Sequence, residues 1–320
     1  MKTTLILISL TLLILTGCGT TTVQTPTVLS TDTTAPPVTQ AAIPMEESDQ
    51  LPPIPLQADG DIEEVMPNGE IDWSGNTIRA TGTGVLDPNN PNVAQARLMA
   101  ERAAVVVAQR NLLETAQGVK VNSETRVENF MTTYDVIYTR VEGVVKNARQ
   151  LGPSIYNEEM GTVEVELEMQ IHSTNGLSGA LAAALGSPDA TSAAIMSPQT
   201  RDFMEQYSAI VFDGSQAGLT PSMYPKIYDA NGNLLLDTSN YSQYLGSAGD
   251  TAMQFISDVE QILSQPAFAQ NPFVVNVSQV AGQFGSDIIL GAEQSESLGW
   301  LKAGLPFLMS AGKFLLNVVL

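Results

Sequence analysis

In 320 residues there is one cysteine, Cys18, and one histidine, His172. A lone thiol makes no disulfide within the chain, and one Cys with one His cannot supply a Cys/His metal set. Positive charge is also scarce: 14 Lys and Arg stand against 34 Asp and Glu, a formal net charge of −20. No cation occurs between Lys2 and Arg79. Nucleic-acid binding relies on clustered cations that release counterions from phosphate, so no nucleic-acid partner is expected. The acid excess speaks for solubility and against a basic patch on anionic lipid headgroups. The N-terminal apolar stretch, Leu5 to Leu15, is about half of the ~20 residues that a bilayer-spanning helix needs.

A short apolar stretch behind a single charge, Lys2, followed by small residues has the form of a secretory signal peptide. The string Leu15-Thr16-Gly17-Cys18 at its end resembles a bacterial lipobox. That resemblance implies a diacylglyceryl group on the Cys18 sulfur, cleavage before Cys18 and acylation of the new amine. One acyl chain gives reversible membrane binding at ~0.8 kcal/mol per buried methylene, and two or more anchor stably. Gly19 follows, where by resemblance to enterobacterial lipoproteins an aspartate would favour the inner membrane. The outer membrane is the expected location, with periplasmic or surface orientation left open.

Residues 1–17 are thus read as signal peptide and 18–71 as a lipidated tether. The tether is rich in Thr, Pro, Ser, Gln and acids, with few large apolar residues to offset ordering entropy. About 50 such residues span roughly 40 Å as a flexible coil. A first folded domain is expected over 72–175, a linker over 176–200 and a second domain over 201–320.

In the first domain Asn76 to Leu86 reads as a strand. Asn90 is the expected N-cap, with Pro91 at the first helical position. A helix is expected from Asn92 to Gln117, closed by Gly118. Its Ala96, Ala100, Ala103, Ala104, Val107 and Ala108 recur at three- and four-residue steps, which makes one face small enough to lie close on a sheet. Strands are expected at Val119–Val127, Val136–Gln150 and Thr162–Ile171. The last alternates Val163, Val165, Leu167, Met169 and Ile171 with Glu164, Glu166 and Glu168. A solvated strand face explains those carboxylates better than a cation site. The class is α+β, two small domains, the first a β-α-β-β-β layer with one Ala-rich helix on an antiparallel sheet.

Ala80-Thr81-Gly82-Thr83-Gly84-Val85, then Ala96-Arg97-Leu98-Met99-Ala100-Glu101-Arg102-Ala103-Ala104 and Ala108-Gln109-Arg110-Asn111-Leu112-Leu113-Glu114, resemble the Lpp-20-type outer-membrane lipoprotein family. The N-terminal part of flagellar assembly protein T is similar to the same domain type. The resemblance covers about a third of the chain. It implies a structural role in the envelope and carries over no catalytic residue.

In the second domain, strands are expected at Ser208–Phe212, Ser222–Tyr228, Asn233–Asp237, Phe273–Val280, Asp287–Leu290 and Lys313–Leu320. Helices are expected at Phe255–Leu263 and Glu296–Ala311. Asn231-Gly232 signals a hairpin in which both central residues have positive φ. Ala217-Gly218-Leu219-Thr220-Pro221 through Pro225-Lys226-Ile227-Tyr228-Asp229 resembles the C-terminal extension of longer members of the same family.

Other motifs carry less. Gly82 and Gly84 lack the third glycine of a dinucleotide loop, because Asp87 stands there, and a close backbone approach or a strand bend explains them. Asp229, Asn231 and Asn233 begin like a calcium loop, but Leu234 and Asn240 hold its required Gly and Glu places. Asp213, Asp229 and Lys226 would form a hydrolase pair only by converging in space. His172 reads as a surface residue, with no G-x-S-x-G serine to serve. Phe307 to Leu320 reads as a buried helix and strand, interrupted by Gly312 and Lys313.

No catalytic, cofactor-binding or metal residue is expected, only lipidation at Cys18. The function expected is a non-catalytic outer-membrane lipoprotein acting as a structural or assembly component of the envelope. Its partners would be the lipid bilayer and envelope proteins or a second copy, and a flagellar association rests on resemblance alone. The alternative is a ligand- or peptidoglycan-binding module using Trp73, Tyr224, Tyr228, Tyr241 and Tyr244.

Overall fold

The computed structural model describes residues 62–185, 196–241, 253–258, 260, 271–301, 303–304 and 316–320. The class is α+β, with one antiparallel and one mixed sheet. Leu15, Thr16, Gly17, Cys18 and Tyr244 lie outside the described residues.

The first sheet starts earlier than expected. β1 (Glu63–Met66) and β2 (Gly69–Asp72) form an antiparallel hairpin within the stretch read as tether to residue 71. Strands of four residues carrying Glu63, Glu64, Glu70 and Asp72 show no apolar run. They are held by the next strand instead: β2 pairs with β3 (Thr77–Val85), and Ile71 is completely buried.

β3 pairs antiparallel along nine residues with β6 (Thr162–Gln170), from Thr77↔Gln170 to Val85↔Thr162. The other edge of β6 takes β4 (Arg149–Gln150) and β5 (Ile155–Asn157). The long helix α1 (Val93–Gly118) crosses this sheet, burying Ala96, Ala100, Ala104, Ala108, Leu112 and Ala116. A Cβ on Gly82 or Gly84 would overlap the backbone of α1 at Ala104, Ala108 and Ala100. The two glycines therefore serve close approach, as expected. The N-cap is Asn92, whose side chain accepts from the Gln95 amide, rather than Asn90. Asn90 instead accepts from the Asn92 amide in a turn that leads into the cap.

Two of the expected strands are something else. Val136–Gln150 contains α3 (Asp135–Lys146), preceded by α2 (Val127–Thr133). The β-branched residues there suggest a strand, but Ile137, Val141 and Val145 are four apart and form one buried helical face. Residues 119–126 form a loop closed by a Lys120↔Arg126 bridge and by Asn122, which accepts from the Glu124 and Thr125 amides. The order is thus β-β-β-α-α-α-β-β-β, in place of β-α-β-β-β.

The stretch read as linker contributes α4 (Leu177–Leu181), whose Leu177 and Leu181 are fully buried. After α5 (Pro198–Gln206), capped by Ser197, comes the second sheet. Its strands are β7 (Ala209–Asp213), β8 (Lys226–Tyr228), β9 (Leu234–Asp237), β10 (Met253–Ile256), β11 (Pro272–Ala281), β12 (Asp287–Leu290) and β13 (Leu316–Val319), in the order β10-β13-β7-β11-β12-β8-β9. β7 is parallel to β13 on one side and β11 on the other, and its apolar residues are buried throughout, as parallel strands require. The closing strand falls within the expected Lys313–Leu320.

Phe255, expected in a helix, lies in β10, because a four-residue run buried on both faces carries no distinguishing period. The hairpin at Asp229–Asn233 is present, but only Gly232 has positive φ. Asp229 supplies what a second positive φ would have, accepting from the Asn231 and Asn233 amides. α6 (Ala292–Leu298) begins four residues before the expected helix at Glu296.

Residues of both sheets share one hydrophobic cluster, from Ile71 and Leu112 to Phe212, Ile288 and Val318. Trp73 meets Phe255 edge to face at 5.5 Å, and His172 meets Tyr224 at 5.8 Å.

Candidate interaction surface

Four arrangements stand out among the described residues. The first is an ion network on the face of the first sheet turned away from α1. Cross-strand pairing sets Arg79 opposite Glu168 and Arg149 opposite the same residue. The Glu168 carboxylate accepts from Arg149 at 2.6 Å and from Arg79 at 3.1 Å. Asp72 and Glu70 approach Arg79 at 3.6 and 3.5 Å. Burial works against both charges, yet Arg149 and Arg79 hold the Glu168 pKa below its ordinary value. Burial likewise works against the Arg79 charge, but Glu168, Asp72 and Glu70 together outweigh it, so its pKa is raised. Of the three carboxylates read as a solvated face, only Glu164 is exposed, Glu166 is half-buried and Glu168 is buried.

The second arrangement joins the sheets. The 119–126 loop reaches into the second half, where its Lys120 and Val121 carbonyls accept from the Met223 and Tyr224 amides. Its Ser123 carbonyl accepts from the Phe284 amide, and Arg126 lies over the Phe284 ring at 4.9 Å. The Ser123 hydroxyl donates to Asp287 at 2.5 Å, and the Lys226 amide donates to the other Asp287 oxygen at 2.9 Å. Burial raises the Asp287 pKa, against these two donors. Neither Ser123 nor Asp287 carries a signal in sequence, since 164 residues separate them.

The third is buried. His172, expected at the surface, is 7 % exposed, and neither ring nitrogen has a hydrogen-bond partner. Burial lowers its pKa to about 4, so the ring is neutral. The phenol of Tyr224 is fully buried, and that burial raises its pKa. Trp73 is 2 % exposed and Tyr224 fully buried, so neither belongs to a glycan-stacking surface.

The fourth is the open surface of α1. Leu98, Met99 and Val106 are exposed by 59, 56 and 65 %, apolar and without a partner in the fold. Beside α1, β3 runs on past the end of β2, and the Asn111 amide reaches the Thr81 carbonyl at 2.7 Å.

The remaining candidates stay apart. Asp213 accepts from Ser215, and Asp229 from Asn231 and Asn233, so each closes its own turn. Among the described residues no group of His, Cys, Asp and Glu is placed to hold a metal ion, and no helix is long and apolar enough to cross a membrane.

Residues 209–309 match the family described as Treponema pallidum Tp0624, second domain. That range takes in most of the second sheet, from β7 to beyond α6, about a third of the chain. No curated protein matches the chain.

Proposed function

We propose that the protein is a non-catalytic lipoprotein of the bacterial outer membrane, a structural or assembly component of the envelope. The observation that carries this is Leu15-Thr16-Gly17-Cys18 directly after the Leu5–Leu15 stretch. Thioether and amide-linked chains on Cys18 would hold the chain in the bilayer, and the Thr/Pro-rich stretch behind it would give the folded part reach. Two features support a contact-making role. The two sheets share one core and form a continuous body, and α1 leaves apolar side chains open to solvent. The match to a domain of a Treponema protein agrees with a bacterial lipidation signal. A place beside the flagellum is carried by the Lpp-20-type resemblance alone.

Expression of the chain and of Cys18→Ser in a two-membrane bacterium tests this. The wild type is expected to sediment with outer membranes and to carry the added mass of diacylglycerol and an acyl chain. The serine variant is expected in the soluble fraction without it. Equal sedimentation and equal mass would overturn the reading.

A further inference from the structure

The open edge of β3 and the flank of α1 above it form a half-built two-layer groove. Along β3 the Leu86 amide donates to Gly161, and the Asn76 carbonyl accepts from Ile171, so even-numbered backbone groups face β6. Odd-numbered groups face the opposite way, because strand backbones alternate. β2 covers that side only from Thr77 to Arg79. Beyond it the backbone groups of Thr81, Thr83 and Val85 point outward, and of these the Thr81 carbonyl is taken by Asn111.

Residues Met99, Ala103, Val107 and Asn111 are four apart on α1 and make one row. The Asn111–Thr81 bond fixes this row above the open edge. The opposite flank is fixed by Arg97, which lies 4.2 Å over the ring of Tyr156 in β5, beyond β6. Met99, Ala103 and Val107 are therefore the roof of the groove, and all three are exposed. Its lower side is acidic: Glu166 and Glu164 pair with Thr81 and Thr83, and Glu70 is the last β2 residue in register with β3. Arg79 is already engaged by Glu70, Asp72 and Glu168.

We infer that this edge takes an extended segment of another protein, added as a strand beside Thr81–Val85, with aliphatic residues toward α1 alternating with basic residues toward Glu164 and Glu166. Strand addition of this kind draws affinity from main-chain hydrogen bonds and specificity from alternate side chains. A second copy pairing β3 with β3 does not fit. α1 sits directly on Gly82 and Gly84, so two such helices over strands ~4.8 Å apart would fall inside the 8–10 Å that packed helices need. The chain's own N-terminal stretch is the wrong charge, with acids and no cation between Lys2 and Arg79. The inference stands whether or not Cys18 is acylated, and its test involves no membrane.

The experiment uses the full chain and three six-residue peptides: valine alternating with lysine, valine alternating with glutamate, and three valines followed by three lysines. The alternating valine–lysine peptide is expected to bind at least tenfold more tightly than the other two and to slow amide exchange at Thr83 and Val85. Thr83→Pro removes an amide that faces the open edge and no ladder bond, so the fold is retained and binding drops at least tenfold. Should Thr83→Pro fail to fold, Ala103→Lys at an exposed position is expected to weaken the same peptide to a similar degree. Equal binding of all three peptides, or unchanged binding in the variants, would overturn the inference. So would protection of Thr83 and Val85 in the chain alone: concentration-dependent protection would mean a second copy, and concentration-independent protection the chain's own segment.

Discussion

Ser123 donates its hydroxyl to Asp287 at 2.5 Å across 164 residues of sequence, inside the contact between the two sheets. Because the acceptor is buried and its pKa raised by that burial, the hydroxyl matters most when Asp287 is ionised. Ser123→Ala is expected to cost about 1–2 kcal/mol at neutral pH, the loss typical of a buried acceptor deprived of a donor. The cost should shrink as pH falls through the folded pKa of Asp287, where the carboxyl becomes neutral. Denaturant melts at pH 7 and pH 4 check this; a cost that does not change with pH would contradict it. Both sheets should be lost in a single transition, since one core serves them.

His172 provides the opposite dependence. Its folded pKa, about 4, lies below the ordinary value near 6.5, so between these values the unfolded chain binds a proton that the folded one refuses. Stability should fall as pH drops through this window, by about 3 kcal/mol in all. His172→Phe keeps an aromatic ring against Tyr224 and removes two unpartnered nitrogens. The variant's stability curve should lose this part of the acid slope, and an unchanged slope would show that His172 is not its source.

Glu168 adds a second acid-sensitive element of known sign. Its pKa is lowered in the fold by Arg149 and Arg79 against the cost of burial. The stabilisation is present above the unfolded carboxyl pKa and lost as pH falls through the folded one. Glu168→Gln is expected to cost about 1–3 kcal/mol at pH 7, discounted because Arg149 is largely exposed. Most of the difference should disappear in acid, as measured by thermal melts across pH.

Gly82→Ala and Gly84→Ala test the close contact of helix and sheet. The added methyl would meet the α1 backbone, not a movable side-chain tip. Each substitution should destabilise by about 3 kcal/mol or more, at the upper end for overpacking. Gly152→Ala, at a site with open space but positive φ, should cost less, about 1 kcal/mol. Equal losses at all three sites would argue that α1 does not lie where it is described.

Much of the second sheet was legible because most of its strands, β10 excepted, declare themselves locally. Asp287–Leu290 and the valine-rich Phe273–Val280 are short segments of high strand propensity bounded by turn residues, and they appear almost where expected. The two glycines and the small residues Ala96, Ala100, Ala104 and Ala108 opposite them were likewise readable, since close packing selects residues without bulk, whereas Ala103 and Val107, expected on the same face, are exposed because the contact follows a single row of residues four apart. α3 is hard to read as a helix because its β-branched residues carry strand propensity that competes with the four-residue spacing of Ile137, Val141 and Val145. The groove was not legible at all, because an open strand edge is defined by where another strand stops.

By itself the sequence determined much of what depends on residues near one another in the chain: the lipobox-like string, the acid excess, the long helix α1 and strands such as β3, β6, β11 and β12. Only the tertiary structure decided that residues 119–126 reach into the second half, that His172 is buried, and that Glu168 sits between two arginines. The physical reason is range. Periodicity and capping act over a few residues, whereas burial and ion pairing depend on which distant segments meet, and no local pattern encodes a contact between Ser123 and Asp287.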